Sequence, residues 1–529
     1  MDRISYLFKR ESAYNHYLRF GLFLVSIIPW ISPLVVFAQN GTLTYPLFQN
    51  DQMHYIARAA AGWHNRNLIE VFSTASYYKS DGLFLPLEYI IFLILSPLKY
   101  FGLSFQLIFF LVVVGSLICT IIVVTRVVSR LIDSRILAST IVCLILFSDV
   151  FEKYLNIQKE PLQFSRWPFP GLHYIVLFSV LHFLAKKSLT RRQAFYLALL
   201  LGLSFYTYLY TFLIAWALIS VKLFLAIVRQ QFGLIRQILI ISAISLVLGI
   251  PYLQRQFLSF SGDARIKSEA FFAAVNVENS HSLILSKTTV LLIFLSALIL
   301  LLKSADKFLL TVSLAALSGA VASAQNLVTG LVIQPGHLHW YWMRPWLYAC
   351  AYYLFFRLLK TFLSGPHVNK LVMLSFITIF SFSLIVQSVF FSQEQRAKEQ
   401  TRAKDFVALL NYDYNNRSVF LTFDSEVSDF LVTNTRSKLG YHDFSKFYRG
   451  SDDVIRNYER IEEIWNLGDL PKYREQTTIG EFHKLMANLE ANAIIVVLPI
   501  SKYQENLIAN CKVDEFSLKS MQVYSCLKS

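Results

Sequence analysis

Residues 18–38 read LRFGLFLVSIIPWISPLVVFA, and residues 46–58 read PLFQNDQMHYIAR. The first stretch is almost unbroken apolar sequence, long enough for one bilayer crossing. The second lies in a polar segment, Gln39 to Leu83, and places an acid, Asp51, soon after that crossing. From Asn50 the pattern Met53, Ile56, Ala60, Trp63 predicts one apolar face of a helix. Asp51, His54 and Arg58, at spacings of three and four, share another face. A carboxylate, an imidazole and a guanidinium then project together at the membrane surface. Such a set can take a proton from a hydroxyl and steady a leaving phosphate. The plainer account is that Asn50 or Asp51 caps a surface helix.

Outward from this stretch, the chain of 529 residues is 55% hydrophobic and 15% aromatic, above the usual range of soluble domains. Several charge-free apolar runs have span length, so the chain reads as a polytopic membrane protein. The first run is not a cleavable signal, because no small-residue cleavage site precedes Pro29 and Trp30. The net charge of +15 is unevenly placed: residues 1–391 hold 31 Lys/Arg against 14 Asp/Glu, and residues 392–529 hold 18 Lys/Arg against 20 Asp/Glu. A basic membrane part fits the positive-inside rule and an anionic lipid surface, and it calls for no nucleic acid. The sequence has no Gly-rich phosphate loop, zinc spacing or nucleophile elbow.

Spans are expected near 18–38, 104–125, 136–151, 171–185, 194–209, 211–228, 237–253, 286–302, 308–324, 346–363 and 371–391, about eleven crossings. The run Phe84–Gly102 is also apolar. Counted as a crossing, it would move Arg126, Arg130, Arg135, Lys186, Lys187, Arg191 and Arg192 outside, against the positive-inside rule. It is therefore read as re-entrant or interfacial. Loops 39–83, 152–170 and 254–285, the segment 325–345 and the tail then share the side away from a cytoplasmic N-terminus. Segment 194–228 is read as a hairpin with an aromatic tip (Tyr206, Tyr208, Tyr210), against the alternative of one long tilted helix. The expected organisation is a catalytic membrane domain, 1–391, and a small α/β domain, 392–529, outside the cytoplasm. The tail shows strands at Ser418–Phe423 and Ala493–Pro499, a helix at Glu481–Leu489, and a last hairpin from Val513–Phe516 and Gln522–Ser525. Cys511 and Cys526 flank that hairpin, and a disulfide between them is expected in an oxidising compartment.

Two more clusters carry chemistry. Loop 152–170 holds Glu152, Glu160 and Arg166; either glutamate can form an acidic pair with Asp51, and Arg166 can hold a phosphate bidentately. The segment Gln334 to Pro345 crowds His337, His339, Arg344 and four aromatics, counting Trp346, at the mouth of a span. It reads as a pocket for a phosphate head group and a sugar ring, or as an interfacial aromatic belt. Glu88, set among Leu87, Tyr89 and Ile90, needs a partner or a task. No metal is assigned to His337 and His339, whose spacing is a poor metal motif.

The layout resembles the GT-C class of membrane glycosyltransferases, in the branch of protein O-mannosyltransferases and aminoarabinose transferases. The resemblance covers residues 10–390. It rests on the acid Asp51 on interfacial helices of the first outer loop, the element Leu85-Pro86-Leu87-Glu88-Tyr89, and a second outer loop with an acid and Arg166. The family usually has Asp-Glu where this chain has Asp51-Gln52, which leaves a divalent metal open and no cofactor assigned. The resemblance implies inverting transfer of a sugar from a polyprenyl-phosphate donor to a glycan, lipid or protein acceptor at the outer face of a bacterial plasma membrane. Asp51 would be the base, and Arg166, His337 and Arg344 would neutralise the leaving phosphate. The rival readings are a lipid or polysaccharide transporter or flippase, and a non-catalytic scaffold. The first predicts charges inside spans and repeat symmetry; the second predicts that Asp51 and Arg166 are dispensable.

Overall fold

A computed structural model of the chain describes residues 16–31, 34–35, 51–65, 87–156, 162–165, 171–186, 188–207, 209–259, 278–279, 285–301, 306–329, 331–332, 335–400, 419–421, 438–439, 460–461, 463–467, 472–487, 493–497, 502–509, 512–513 and 522–526. The described part is mostly helical. Its helices are α1 (His16–Ile31), α2 (Asp51–Trp63), α3 (Leu87–Leu95), α4 (Phe105–Leu131), α5 (Arg135–Leu146), α6 (Val150–Asn156), α7 (Gly171–Leu184) and α8 (Arg191–Ser204). They continue with α9 (Leu209–Val228), α10 (Phe232–Ser259), α11 (Lys287–Leu301), α12 (Lys307–Ser323), α13 (Arg344–Phe362), α14 (Gly365–Gln400), α15 (Lys472–Ala487) and α16 (Lys502–Leu507). Four helical stretches are long and apolar enough to cross a membrane: Phe105–Leu131, Tyr210–Val228, Phe232–Gln254 and Gly365–Ser392. Shorter apolar helices stand at α1, α5, α7, α11 and α12. With so many apolar side chains exposed on these helices, Phe20, Leu111, Phe224 and Val247 among them, the chain is an integral membrane protein.

The chain divides into two compact units, residues 1–29 with 111–391, and residues 30–110 with 392–529. In the first, pairwise contacts give the helices their senses. Thr120 of α4 donates to the Gly171 carbonyl at the start of α7, and Arg130 meets His182 near its end, so α4 and α7 run the same way. The contacts Gln237–Leu189, Ser245–Ala198 and Tyr206–Leu248 make α8 and α10 parallel as well. Asp306, at the start of α12, accepts from Tyr353 and Arg357 late in α13, while Trp342 donates to Ala315; α12 and α13 are therefore antiparallel. The 194–228 segment forms two helices, broken after Ser204, rather than one long rod. Thr190 caps α8 in a reciprocal box with Gln193, and Asp306 caps α12 through the Phe308 and Leu309 N–H groups. The expected span 136–151 is interrupted: α5 stops at Leu146, its last turn closed by the Phe147 N–H on the Cys143 carbonyl, and α6 begins at Val150. The polar pair Ser148-Asp149 occupies the break.

In the second unit, α3 has nine residues, about 14 Å of rise, less than half a hydrocarbon core. Pro97 turns the run into a 3₁₀ segment, Ser96–Phe101, which closes on Gly102 at φ 78, the left-handed region open to glycine. Helix α2 packs on α3 so closely that a Cβ at Gly62 would lie 2.3 Å from the Tyr89 carbonyl oxygen. The contact is built by Ile56, Ala59, Ala60 and Trp63, all buried, and by an aromatic cluster of Phe92, Phe105 and Phe109. The tail carries β3 (Val419–Leu421), β4 (Lys438–Leu439), β5 (Ala493–Val497), β6 (Lys512–Val513) and β7 (Gln522–Cys526), in the order β4-β3-β5-β7-β6. β3 pairs parallel to β4 and β5, and β7 pairs antiparallel to β5 and β6. Two short strands elsewhere, β1 (Glu278–Asn279) and β2 (Leu331–Val332), also pair antiparallel. Helix α15 begins at Lys472, nine residues before the expected Glu481. β4 was not expected; two residues, one of them a lysine, make no readable alternation. Cys511 lies outside the described residues; the β6–β7 register pairs Lys512 with Ser525, the residue before Cys526.

Candidate functional site

The segment after β2 builds the main cluster. A short helical turn, Pro335–Leu338, runs into a π-helical turn, His339–Met343, where the Arg344 N–H donates to the His339 carbonyl five residues back. π turns of this kind are frequent at functional sites because the extra residue re-aims side chains. Helix α12 makes room for it: a Cβ at Gly319 would lie 2.0 Å from the Met343 sulfur. The turn is pinned from two sides. Trp342 Nε1 donates to the Ala315 carbonyl at 2.9 Å, and Tyr174 of α7 donates its hydroxyl to the Tyr341 carbonyl at 2.6 Å. Beneath it Phe178, Trp342 and Trp346 stack into the core.

Arg344 starts α13 and is buried, its side chain only 8% exposed. Nη1 donates to Glu152 Oε2 of α6 at 2.5 Å, and Glu152 itself is half exposed. Nε and Nη2 of Arg344 are buried and have no hydrogen-bond partner among the described residues. A buried N–H without an acceptor costs about 1–3 kcal/mol, and the three N–H groups on these two nitrogens have the chemistry to meet an oxygen-rich anion. His339 sits beside this pair, with Nδ1 3.4 Å from the Ser286 hydroxyl. Burial first and the Arg344 charge second hold its imidazole below the ordinary range, with Glu152 pulling the other way. His339 is therefore neutral at neutral pH, able to donate from one ring nitrogen and accept at the other.

His337 has a different setting. Its ring stacks on Tyr210 at 5.0 Å and on Tyr341 at 5.8 Å, with Trp340 edge-on. Tyr210 stands in the first turn of α9, so two regions 127 residues apart in sequence share one aromatic box. Loop 162–165 is clasped by α14: the buried Gln387 accepts from the Leu162 N–H and donates to the Ser165 hydroxyl. Glu160 and Arg166, which flank this turn, lie outside the described residues.

In the other unit, α2 starts at Asp51, and the side chains of Asp51 and His54 lie outside the description. Arg58 and Glu88, two separate candidates from the sequence, form a single ion pair at 2.9 Å between α2 and α3. Glu88 is buried, and Arg58 also lies over the Tyr55 ring. This is the partner an acid in an apolar run requires. Among the described residues no group of three or more metal-ligating side chains gathers.

Sequence reasoning missed Asp149, Tyr174 and Gln387. Asp149 is buried in the break before α6, and its charge and that of Arg344 both reach Tyr174. The available signal was the acid inside Leu146-Phe147-Ser148-Asp149-Val150-Phe151, which was absorbed into a span. Tyr174 and Gln387 carry no local signal, because their partners lie 167 and 222–225 residues away.

No protein-family model matches the sequence, and no curated protein matches it. Two solved structures are similar in shape. The crystal structure of the Archaeoglobus fulgidus oligosaccharyltransferase in the apo form aligns at a TM-score of 0.48 and 13% identity, covering 92% of this chain and 69% of that one. The crystal structure of ArnT from Cupriavidus metallidurans bound to undecaprenyl phosphate aligns at a TM-score of 0.46 and 13% identity, covering 96% of this chain and 98% of that one.

Proposed function

We propose that the chain is an inverting glycosyltransferase that moves a sugar from a polyprenyl-phosphate donor to an acceptor hydroxyl at the outer face of the membrane. The observation that carries this reading is Arg344: a buried guanidinium with Nη1 on Glu152, and with Nε and Nη2 lacking a hydrogen-bond partner among the described residues. A phosphate has the oxygens to fill them, and Arg is the side chain suited to bidentate phosphate binding. A neutral His339 beside it supplies a further donor, and the His337–Tyr210–Tyr341 box offers ring faces to a sugar.

In the reaction the acceptor oxygen attacks the anomeric carbon and loses its proton to a carboxylate, for which Asp51 is the candidate. The bond from the anomeric carbon to the carrier phosphate oxygen breaks, and its electron pair leaves on the phosphate. Arg344, with Arg166 and His337, meets the charge that develops there. His54 orients the base; Arg58 is held by Glu88 and so shapes α2 while it faces the donor. Glu160 is kept as the second-loop acid. The C-terminal unit, placed on the same outer side by the charge pattern, is the candidate for acceptor contact.

The test is turnover of a polyprenyl-phosphate sugar by the purified full chain, with the product mass measured. Release of polyprenyl phosphate coupled to a glycosylated product supports the reading. Movement of the intact lipid-linked sugar across a vesicle, with no bond broken, replaces it with the flippase reading.

A further inference from the structure

A second cluster stands at the other end of α7, and the reaction makes no use of it. Tyr174, near the start of the helix, belongs to the Arg344 site; His182 lies eight residues on, about 12 Å of rise away. There His182 Nε2 sits 2.8 Å from Arg130 Nη1 of α4. Arginine can only donate, so the imidazole accepts. Lys186 follows one turn later, its ammonium over the Phe183 ring. Arg126, one turn before Arg130, is exposed, and its charge acts on Arg19 of α1. Arg19 Nε is buried without a hydrogen-bond partner among the described residues.

Four cations and a histidine from α1, α4 and α7 thus meet at one end of the bundle. None of the four forms an ion pair among the described residues. Asp133, the nearest acid in sequence, acts on Tyr353 instead. Like charges drawn together without an acid are unfavourable unless an anion joins them. The helices that carry them also expose apolar side chains toward their middles, Leu24 on α1 and Ile118 on α4. A charge cluster capping apolar helix flanks matches an amphiphile, with a phosphate at the head and hydrocarbon below.

We propose that Arg19, Arg126, Arg130 and Lys186 form a binding site for the phosphodiester headgroup of an anionic membrane phospholipid, held at the end of α7 opposite the Arg344 site. Basic groups between membrane helices are suited to such headgroups. The site is independent of the reaction proposed above, since it rests on other residues and needs no turnover.

The experiment uses the full chain purified in detergent. Dioleoyl phosphatidylglycerol and dioleoyl phosphatidylcholine are offered in equal amounts, and lipid retained on the protein is measured by native mass spectrometry. Wild type is expected to retain phosphatidylglycerol in clear preference. The double variant Arg130→Gln, Lys186→Gln is expected to lose roughly thirtyfold in that preference, the effect of removing two such charges. Arg460→Gln, a cation of the tail already held by Glu463 and Glu481, should leave it unchanged. In a second measurement, which needs no variant, phosphatidylglycerol should raise the wild-type melting temperature and inorganic phosphate should not. Equal retention of the two lipids, undiminished preference in the double variant, or an equal melting shift with inorganic phosphate overturns the proposal.

Discussion

Arg58 with Glu88 and Arg344 with Glu152 are the same chemical pair in two settings. In the first, both partners are withdrawn from water, at 14% and 4% side-chain exposure. In the second, the arginine is buried and the glutamate half exposed, and two guanidinium nitrogens lack acceptors among the described residues. A closed pair locks two elements together, here α2 against α3 across the backbone approach at Gly62. An open pair keeps a directed charge in a dry place with binding capacity left over. Burial of an arginine is therefore no sign of function by itself; the unfilled donors are.

Four measurements can break or sharpen this contrast. The largest effect is expected at the closed pair. Glu88→Gln keeps the size but removes the carboxylate that meets Arg58, and breaking a buried pair costs about 3–5 kcal/mol. Thermal melting should show a strong loss of stability, and an unchanged melt would make the pair idle. On the same helix, Asp51→Asn keeps most capping ability, so insertion and expression should hold. Turnover should drop by about a hundredfold, within the usual span for loss of a general base. Normal turnover would assign Asp51 to capping and move the search to Glu152 and Glu160.

The open pair should respond the opposite way to the closed one. Arg344→Lys keeps a charge for Glu152 but loses the planar fork. Melting should stay near wild type while affinity for the lipid-linked donor falls by about tenfold, the worth of one charged hydrogen bond. If Arg344→Ala leaves donor affinity untouched, the cluster is an aromatic belt and no more. The smallest effect belongs to a third pair, Arg460 with Glu481 in the tail, where both side chains are at least 40% exposed. Side-chain hydrogen bonds from Arg460 hold the Glu481 carboxyl below its usual range. A carboxyl so depressed contributes stability above its unfolded pKa and loses it as pH falls through the folded one. Solvent screening keeps that contribution under about 1 kcal/mol, so Glu481→Gln should barely move the melt at neutral pH and less still in acid.

Legibility in the sequence followed the range of the interaction. Helix α2 was readable because Ile56, Ala60 and Trp63 repeat at helical spacing, and each is buried. The reading of 84–102 rested on the basic residues that follow it, and the local signals at Pro97 and Gly102, which end α3 in a 3₁₀ turn, were not used. His337, His339 and Arg344 were readable as a cluster because they lie within eight residues. The break at Ser148-Asp149 was not, since a hydropathy window averages one acid into the apolar run around it. Nor was the Tyr210–His337 stack or the Gln387 clasp, whose partners are set by helix packing.

By itself, then, the sequence determined that the chain lives in a membrane and broadly where its apolar helices run, and it nominated residues to bind an anion. Those properties depend on apolar length and on periods of three and four residues, and both are written locally. Tertiary structure decided the roles. It matched Glu88 with Arg58 and so closed that charge, and it gave Arg344 one carboxylate oxygen, with two guanidinium nitrogens unmatched among the described residues. It also gathered Arg19, Arg126 and Arg130, with His182, at one end of three helices. Whether a buried charge is satisfied depends on what the fold brings within about 3 Å of it, and no local pattern carries that distance.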